Sequence, residues 1–157
     1  MPDILTNTSP LIALDNIGRL YVLEALYGVV HCTEEVAAEF GVQVPPWLRV
    51  HLVEDRTRGA IMNNLVDHGE ASLLALAFEM PGSILILDDR KARRLATNLQ
   101  LRLTGLLGVL IRAQQQGIIH SLADELASLK AVGFRFSPAM EAEAIRLAGK
   151  GVRADGS

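Results

Sequence analysis

The chain is poor in several things, and each shortage narrows what it can do. It has a single cysteine, Cys32, so it forms no internal disulfide and no thiolate metal cluster. Aromatic residues make up only 4% of its 157 residues, which argues against a platform on which successive bases of a single strand would stack. Charged residues amount to 21% and the net charge is −3. A polyanion therefore has to be held by a local basic patch or by metal ions, because bulk attraction is missing. No apolar run approaches the roughly 18 residues of a membrane span. The N-terminus has neither a basic start nor an unbroken apolar stretch, so no signal peptide is expected. A cytoplasmic protein without membrane attachment fits these features. The chain shows no internal repeat, and Gly105-Leu106-Leu107-Gly108 is too weak a match to a glycine-rich phosphate loop.

Half of the residues are hydrophobic, enough for one globular domain with a substantial core. The most informative stretch runs from Asp67 to Arg94. Ala71 to Phe78 is almost wholly apolar or small, which predicts a helix without a polar stripe, buried all round. Pro81-Gly82 stops it. Ser83 to Leu87 reads as a short strand covered on both faces, and Asp88-Asp89 stand where it ends.

The rest of the chain alternates in the same way. Strands are expected over 3–8, 29–32, 49–53 (at an edge) and 101–104. Helices are expected from Ser9-Pro10, over 19–27 with Leu20, Leu23, Ala25 and Leu26 inward, over 34–40 capped by Thr33 and ended by Gly41, and over 56–65. Further helices are expected from Arg90, over 105–116, over 121–132 capped by Ser121, and from Ser137-Pro138 to Ala148. Strands alternating with helices imply an α/β fold with a parallel sheet between two helical layers. One domain over 1–149 and a frayed tail over 150–157 complete the expected organisation.

Acids then recur where such a sheet binds ligands, at the carboxyl ends of its strands. Asn7 and Asp89 follow strands, Asp88 adjoins Asp89, and Glu39 and Glu70 lie in helices next to strands. Oxygen donors without histidine or cysteine suit Mg²⁺ or Mn²⁺, and carboxylates holding such ions hydrolyse phosphodiesters. Local roles compete with this reading. Asp67 and Glu70 have the spacing of a capping box, Asp88 or Asp89 can cap the next helix, and Glu39 can belong to a solvated helix face. Arg90, Lys91, Arg93 and Arg94 follow at once, with 90, 93 and 94 on one helix face, placed to contact phosphates flanking a scissile bond or to pair with local acids. The four histidines show no zinc-site spacing, and Cys32 lies in an apolar strand as an inert thiol.

These residues carry a resemblance. Thr6-Asn7-Thr8-Ser9-Pro10-Leu11-Ile12-Ala13-Leu14 is similar to the opening motif of PIN-domain proteins. Gly69-Glu70-Ala71 and Asp88-Asp89-Arg90-Lys91-Ala92-Arg93 resemble the signatures of a bacterial and archaeal PIN-like subfamily, as do Thr104 to Leu110 and Gly117-Ile118-Ile119. The resemblance implies a three-layer α/β/α sandwich and a Mg²⁺- or Mn²⁺-dependent ribonuclease, often the toxin of a toxin–antitoxin pair. It implies RNA as substrate, an antitoxin protein as partner, and a homodimer as assembly. Position by position, Asn7 falls on the first metal-binding Asp, Glu39 on the acid of the next segment, Glu70 on the helical acid, and Asp89 on the acid after the fourth strand, with Asp88 beside it. It implies Glu39, Glu70 and Asp89 as catalytic and Asn7, Glu70, Asp88 and Asp89 as metal-binding. Asn7 departs from the pattern, since an amide keeps an oxygen but removes a negative charge, which should weaken metal binding and water activation. Two other readings stay open: a catalytically weak PIN-like module that binds RNA or a protein, and a receiver domain phosphorylated on an Asp, which would need a lysine at a later strand end.

Overall fold

Every expected strand forms, and all five join one parallel sheet. The computed structural model describes residues 2–150. Its strands are β1 (Ile4–Thr6), β2 (Val30–Thr33), β3 (Leu48–His51), β4 (Ile84–Ile86) and β5 (Arg102–Thr104), in the order β3-β2-β1-β4-β5. The expectation of a mostly parallel sheet is exceeded, since all four pairings are parallel. Thr6 stands opposite Ile86 and Thr33 opposite His51, which brings the strand ends level along one rim.

Nine helices flank the sheet among the described residues: α1 (Thr8–Asn16), α2 (Tyr21–Tyr27), α3 (Glu34–Phe40), α4 (Arg56–Met62), α5 (His68–Glu79), α6 (Arg90–Asn98), α7 (Leu106–Gln115), α8 (Leu122–Ala131) and α9 (Pro138–Gly149). Alternation along the strands divides the core in two. Ile4, Val30, Cys32 and Ile86 pack against α1, α2, α7, α8 and α9, while Leu5, Leu85 and Leu87 pack against α5 and α6. This is the three-layer α/β/α sandwich. Gly69 to Ala77 of α5 are all buried, as the missing polar stripe requires. Beyond Lys150, which follows α9, the expected tail lies outside the described residues.

Three helix starts differ from expectation: α1 begins earlier, α2 later, and α7 at Leu106 with Gly105 as its N-cap, while α4 ends at Met62 and not at 65. The first helix starts at Thr8, so Asn7 and not Ser9 is its N-cap, and Pro10 occupies the third helical position. Proline is tolerated there because first-turn N–H groups have no helical acceptor. The Asn7 N–H instead donates to Ile86 O at 3.0 Å, which ends β1 against β4. The second helix begins at Tyr21 and not Arg19; Arg19 Nε donates to the buried Glu125 carboxylate at 2.9 Å. Val22 and Leu23 are buried, Leu20 and Leu26 are half-buried, and Ala25, expected to face inward, is exposed.

The local signals elsewhere hold. Thr33 Oγ1 accepts from Val36 N–H at 3.1 Å and Ser121 Oγ from Asp124 N–H at 3.2 Å. Gly41 ends α3 in the left-handed conformation, φ +73°, which glycine adopts without steric cost.

Candidate active site

The sheet order places a topological switch between β1 and β4. From β1 the chain builds outward to β2 and β3, then returns to put β4 on the other side of β1. Loops leaving the carboxyl ends of those two strands diverge, and the crevice between them is the general ligand site of open α/β sheets. Asn7 leaves β1 there and Asp88-Asp89 leave β4 there.

The crevice is a cleft of about 430 Å³ lined by Asn7, Thr8, Ser9, Ile12, Glu39, Asp67, Glu70, Asp88 and Asp89. All five residues expected to hold metal or act in catalysis, Asn7, Glu39, Glu70, Asp88 and Asp89, meet in it. Five of its lining residues are carboxylates and none is a lysine, arginine or histidine. Asp67, Thr8 and Ser9 are additions. Asp67 was legible in the sequence only as a cap, because that local role explained it completely.

Each acid is held by a definite local device. Asp67 Oδ1 accepts from Glu70 N–H at 3.0 Å, capping α5. Asp89 Oδ2 accepts from Ala92 N–H at 2.9 Å, capping α6. Both Asp88 oxygens accept from Leu106 N–H, at 3.1 and 3.2 Å, and so cap α7 from across the sheet end. The capping roles expected of Asp67 and Asp89 are therefore real, Asp88 caps α7 and not the helix that follows it, and the same acids still line the cleft. Asn7 is different. It stands at the N-cap of α1, yet its side chain makes no capping hydrogen bond, which leaves the amide for the cleft.

Glu39 and Glu70 arrive on neighbouring helices. The exposed Glu39 carboxylate lies over Gly69 at the start of α5, where a Cβ would overlap Oε1 and sit 3.0 Å from Cδ. Glu70 is buried, 5% exposed. Its carboxyl is pushed up to about 7, first by burial, then by Asp67, which is both hydrogen-bonded and negatively charged, and then by the charge of Asp89. Asp88 also sits above the ordinary carboxylate range, through desolvation in its crowded surroundings, against the opposing pull of Leu106 N–H and the Arg93 guanidinium. A divalent ion would relieve both the burial of these carboxyls and the repulsion of Glu70 by Asp67 and Asp89.

The donor set fits a hard cation. It is made only of carboxylate, amide and hydroxyl oxygens, and Thr8 Oγ1 in the cleft wall is buried without a hydrogen-bond partner. No three His, Cys, Asp or Glu side chains converge on one point among the described residues. Mg²⁺ tolerates such an open arrangement, because it retains several waters and takes one or two carboxylates with substrate phosphates. Asn7, Glu70, Asp88 and Asp89, the side chains expected to hold it, all line this cleft.

The basic residues of α6 divide. Arg90, Lys91 and Arg94 are exposed. Lys91 lines a groove with Asp67, Glu70 and Asp89. Arg93 is half-buried, and its Nη1 donates to Leu87 O at 2.7 Å, so one of its donors is committed to the end of β4. The remaining reactive side chains lie apart. Burial pushes the Cys32 thiol up to about 12, which keeps it protonated and inert. His31 and His51 hydrogen-bond each other, Nδ1 to Nε2, at 2.8 Å.

No helix among the described residues is long and apolar enough to cross a membrane. No curated protein matches the chain. A family model described as a PIN domain matches residues 3–150, and with the parallel sandwich and the acidic cleft in place the chain belongs to the PIN-domain family.

Proposed function

We propose that the chain is a divalent-metal-dependent ribonuclease that hydrolyses RNA phosphodiester bonds in the cleft between β1 and β4. The observation that carries this reading is the gathering of five carboxylates in one cleft, whose own lining includes no basic residue, at the switch point of the sheet. A bound Mg²⁺ or Mn²⁺ supplies an activated water and a positive charge opposite the developing charge on phosphate. Asn7, Glu70, Asp88 and Asp89 would hold the ion. Glu39, exposed above Gly69 in the cleft lining, is assigned to accept a proton from the attacking water. Arg90, Lys91 and Arg94 present cations to phosphates on the flank of the cleft, and Arg93 braces the end of β4.

The test is cleavage of a labelled single-stranded RNA with Mg²⁺ or Mn²⁺, with and without chelator. Cleavage that needs the ion and is lost in Asp89→Asn supports the reading. Wild-type protein that never cleaves RNA overturns it.

The second reading, a PIN-like module of weakened chemistry that binds RNA or a protein, is favoured by the amide at Asn7. Restoration of cleavage by Asn7→Asp in an inactive wild type would select it. A receiver-type phosphoacceptor lacks support: no lysine lines the cleft itself, and Lys91, in the neighbouring groove with Asp67, Glu70 and Asp89, is exposed on α6 and not buried at a later strand end. The finer assignments follow from the family resemblance: a cytoplasmic toxin, an antitoxin protein as partner, and a homodimer. Met140 and Ile145, exposed on α9, offer apolar surface for such an assembly.

A further inference from the structure

Beside the acidic cleft lies a larger cavity of about 580 Å³, which shares Ser9 and Asp88 with it. Its chemistry is the opposite. Its walls carry two guanidinium groups, Arg93 and Arg135, and two aromatic rings, Phe134 and Phe136, with the first turn of α7 between them. Phe134, Arg135 and Phe136 form the segment joining α8 to α9. Both phenylalanines pack against the core and are half-buried, so each also keeps part of its ring exposed. Arg135 is exposed and makes no ion pair with the described residues. Low aromatic content rules out a long stacking surface, yet two of the four phenylalanines, two positions apart in the sequence, both line this cavity.

We propose that this cavity is a nucleotide subsite, holding the nucleotide next to the scissile phosphate of a single-stranded RNA, its base against Phe134 and Phe136 and its phosphate beside Arg135. The assignment deepens the ribonuclease reading and rests on it for the position of the scissile bond. The volume lies within the range of small-ligand sites and suits one nucleotide. Every base has a π face, so contact with phenylalanine tolerates any sequence. Guanidinium groups position phosphate without reading sequence. A base paired within a duplex cannot turn into such a cavity, so the subsite selects single strands. Continuity through Ser9 and Asp88 sets the direction of the strand, from the acids toward the α8–α9 connection. The opposite flank of the acids is the groove that Lys91 lines.

The test is metal-free binding, so that it does not depend on catalysis. Fluorescence anisotropy in EDTA would follow a labelled single-stranded RNA about ten nucleotides long, and a ribose-phosphate strand of the same length lacking bases. Wild type is expected to bind the RNA, and to bind the abasic strand about tenfold more weakly. Arg135→Ala should weaken both. The double variant Phe134→Leu and Phe136→Leu keeps apolar bulk for folding, verified by its melting curve. It should weaken the RNA about tenfold and leave the abasic strand unchanged. Failure of wild type to bind, or Phe and Arg135 variants that bind RNA as wild type does, would overturn the subsite, as would equal losses on both strands in the Phe variant. Binding with this pattern in a protein that never cleaves RNA would retain the subsite and reject the ribonuclease. Cleavage with variant-independent binding would do the reverse.

Discussion

The Glu39 carboxylate occupies the space that a side chain at position 69 would need: a Cβ on Gly69 would overlap Oε1 and stand 3.3 Å from Oε2. The close approach of α3 and α5 at this point sets one acid of the cleft. Gly69→Ala should therefore separate stability from activity. Glu39 is exposed and its flexible end can swing away, so the fold survives. Alanine in the first turn of α5 should leave stability unchanged or raise it by up to about 1 kcal/mol. Cleavage should fall by about tenfold or more, because displacing a reacting group by about 1 Å is costly. Melting temperature and initial cleavage rate, measured on the same preparation, decide it; an undiminished rate would remove Glu39 from the chemistry.

Glu70 links folding to pH. Its carboxyl is raised from 4.5 to about 7 in the folded protein, so the folded state binds the proton more tightly than the unfolded state. That contribution to stability is complete below about pH 4.5 and is lost as pH rises through about 7. In EDTA, Glu70→Gln cannot ionise and should escape the loss. At pH 8 the variant should be more stable than wild type by an amount on the order of 1–3 kcal/mol, with no such gain at pH 4. Urea denaturation at the two pH values gives the comparison, and equal gains at both would contradict the burial and crowding of this acid.

Asn7 offers an oxygen where a carboxylate would add charge. Asn7→Asp should raise Mg²⁺ and Mn²⁺ affinity by about tenfold, since ligand charge tunes divalent binding, while Asp89→Asn should lower it at least as much. Titration calorimetry measures both. An affinity indifferent to both changes would place the ion elsewhere.

Asp88 and Gly105 act through one contact. Asp88 caps α7 through Leu106 N–H, and a Cβ at Gly105 would lie 2.6 Å from Asp88 Oδ1 and 3.0 Å from Arg93 Nη1. Asp88→Ala should cost about 0.5–2 kcal/mol, the usual worth of a cap. Gly105→Ala should cost a similar amount by pushing the carboxylate off its donor. The double variant should cost less than the sum, because the same bond cannot be lost twice. Full additivity in chemical denaturation would refute the shared contact.

The cations of α6 should divide in the same way that their geometry does. Arg93→Ala removes a donor from Leu87 O and should destabilise by about 1.5–3 kcal/mol, the range of charge-assisted bonds. Arg90→Ala and Arg94→Ala, at exposed positions, should change stability by less than about 0.5 kcal/mol. Each should weaken RNA binding at low salt and reduce the salt slope by about 1. Anisotropy over a salt series, beside melting curves, separates the two classes.

The secondary structure was legible because its causes are local. Thr33, Asp67 and Ser121 cap helices from their own sequence neighbourhoods. Apolar runs such as Ser83 to Leu87 and Ala71 to Phe78 announce elements covered on all sides, and those elements in alternation imply the parallel sandwich. The acids at strand ends were legible for the same reason: Asp88 and Asp89 stand next to the run that makes β4. What a residue does once brought against a distant neighbour was not legible. That Asn7 caps by position but not by side chain depends on its N–H bond to Ile86. That the exposed acid Glu39 belongs to the cleft depends on α3 meeting Gly69. The raised carboxyl of Glu70 comes first from its burial in the folded protein and then from Asp67, with a smaller push from Asp89, nineteen residues away, and the pairing of Phe134 and Phe136 with Ser9 in one cavity needs the chain's two ends folded together. Local propensity and hydrophobic pattern are written in adjacent residues, whereas the strand order β3-β2-β1-β4-β5, which makes one cleft of five scattered acids, arises only when the two cores close on the sheet.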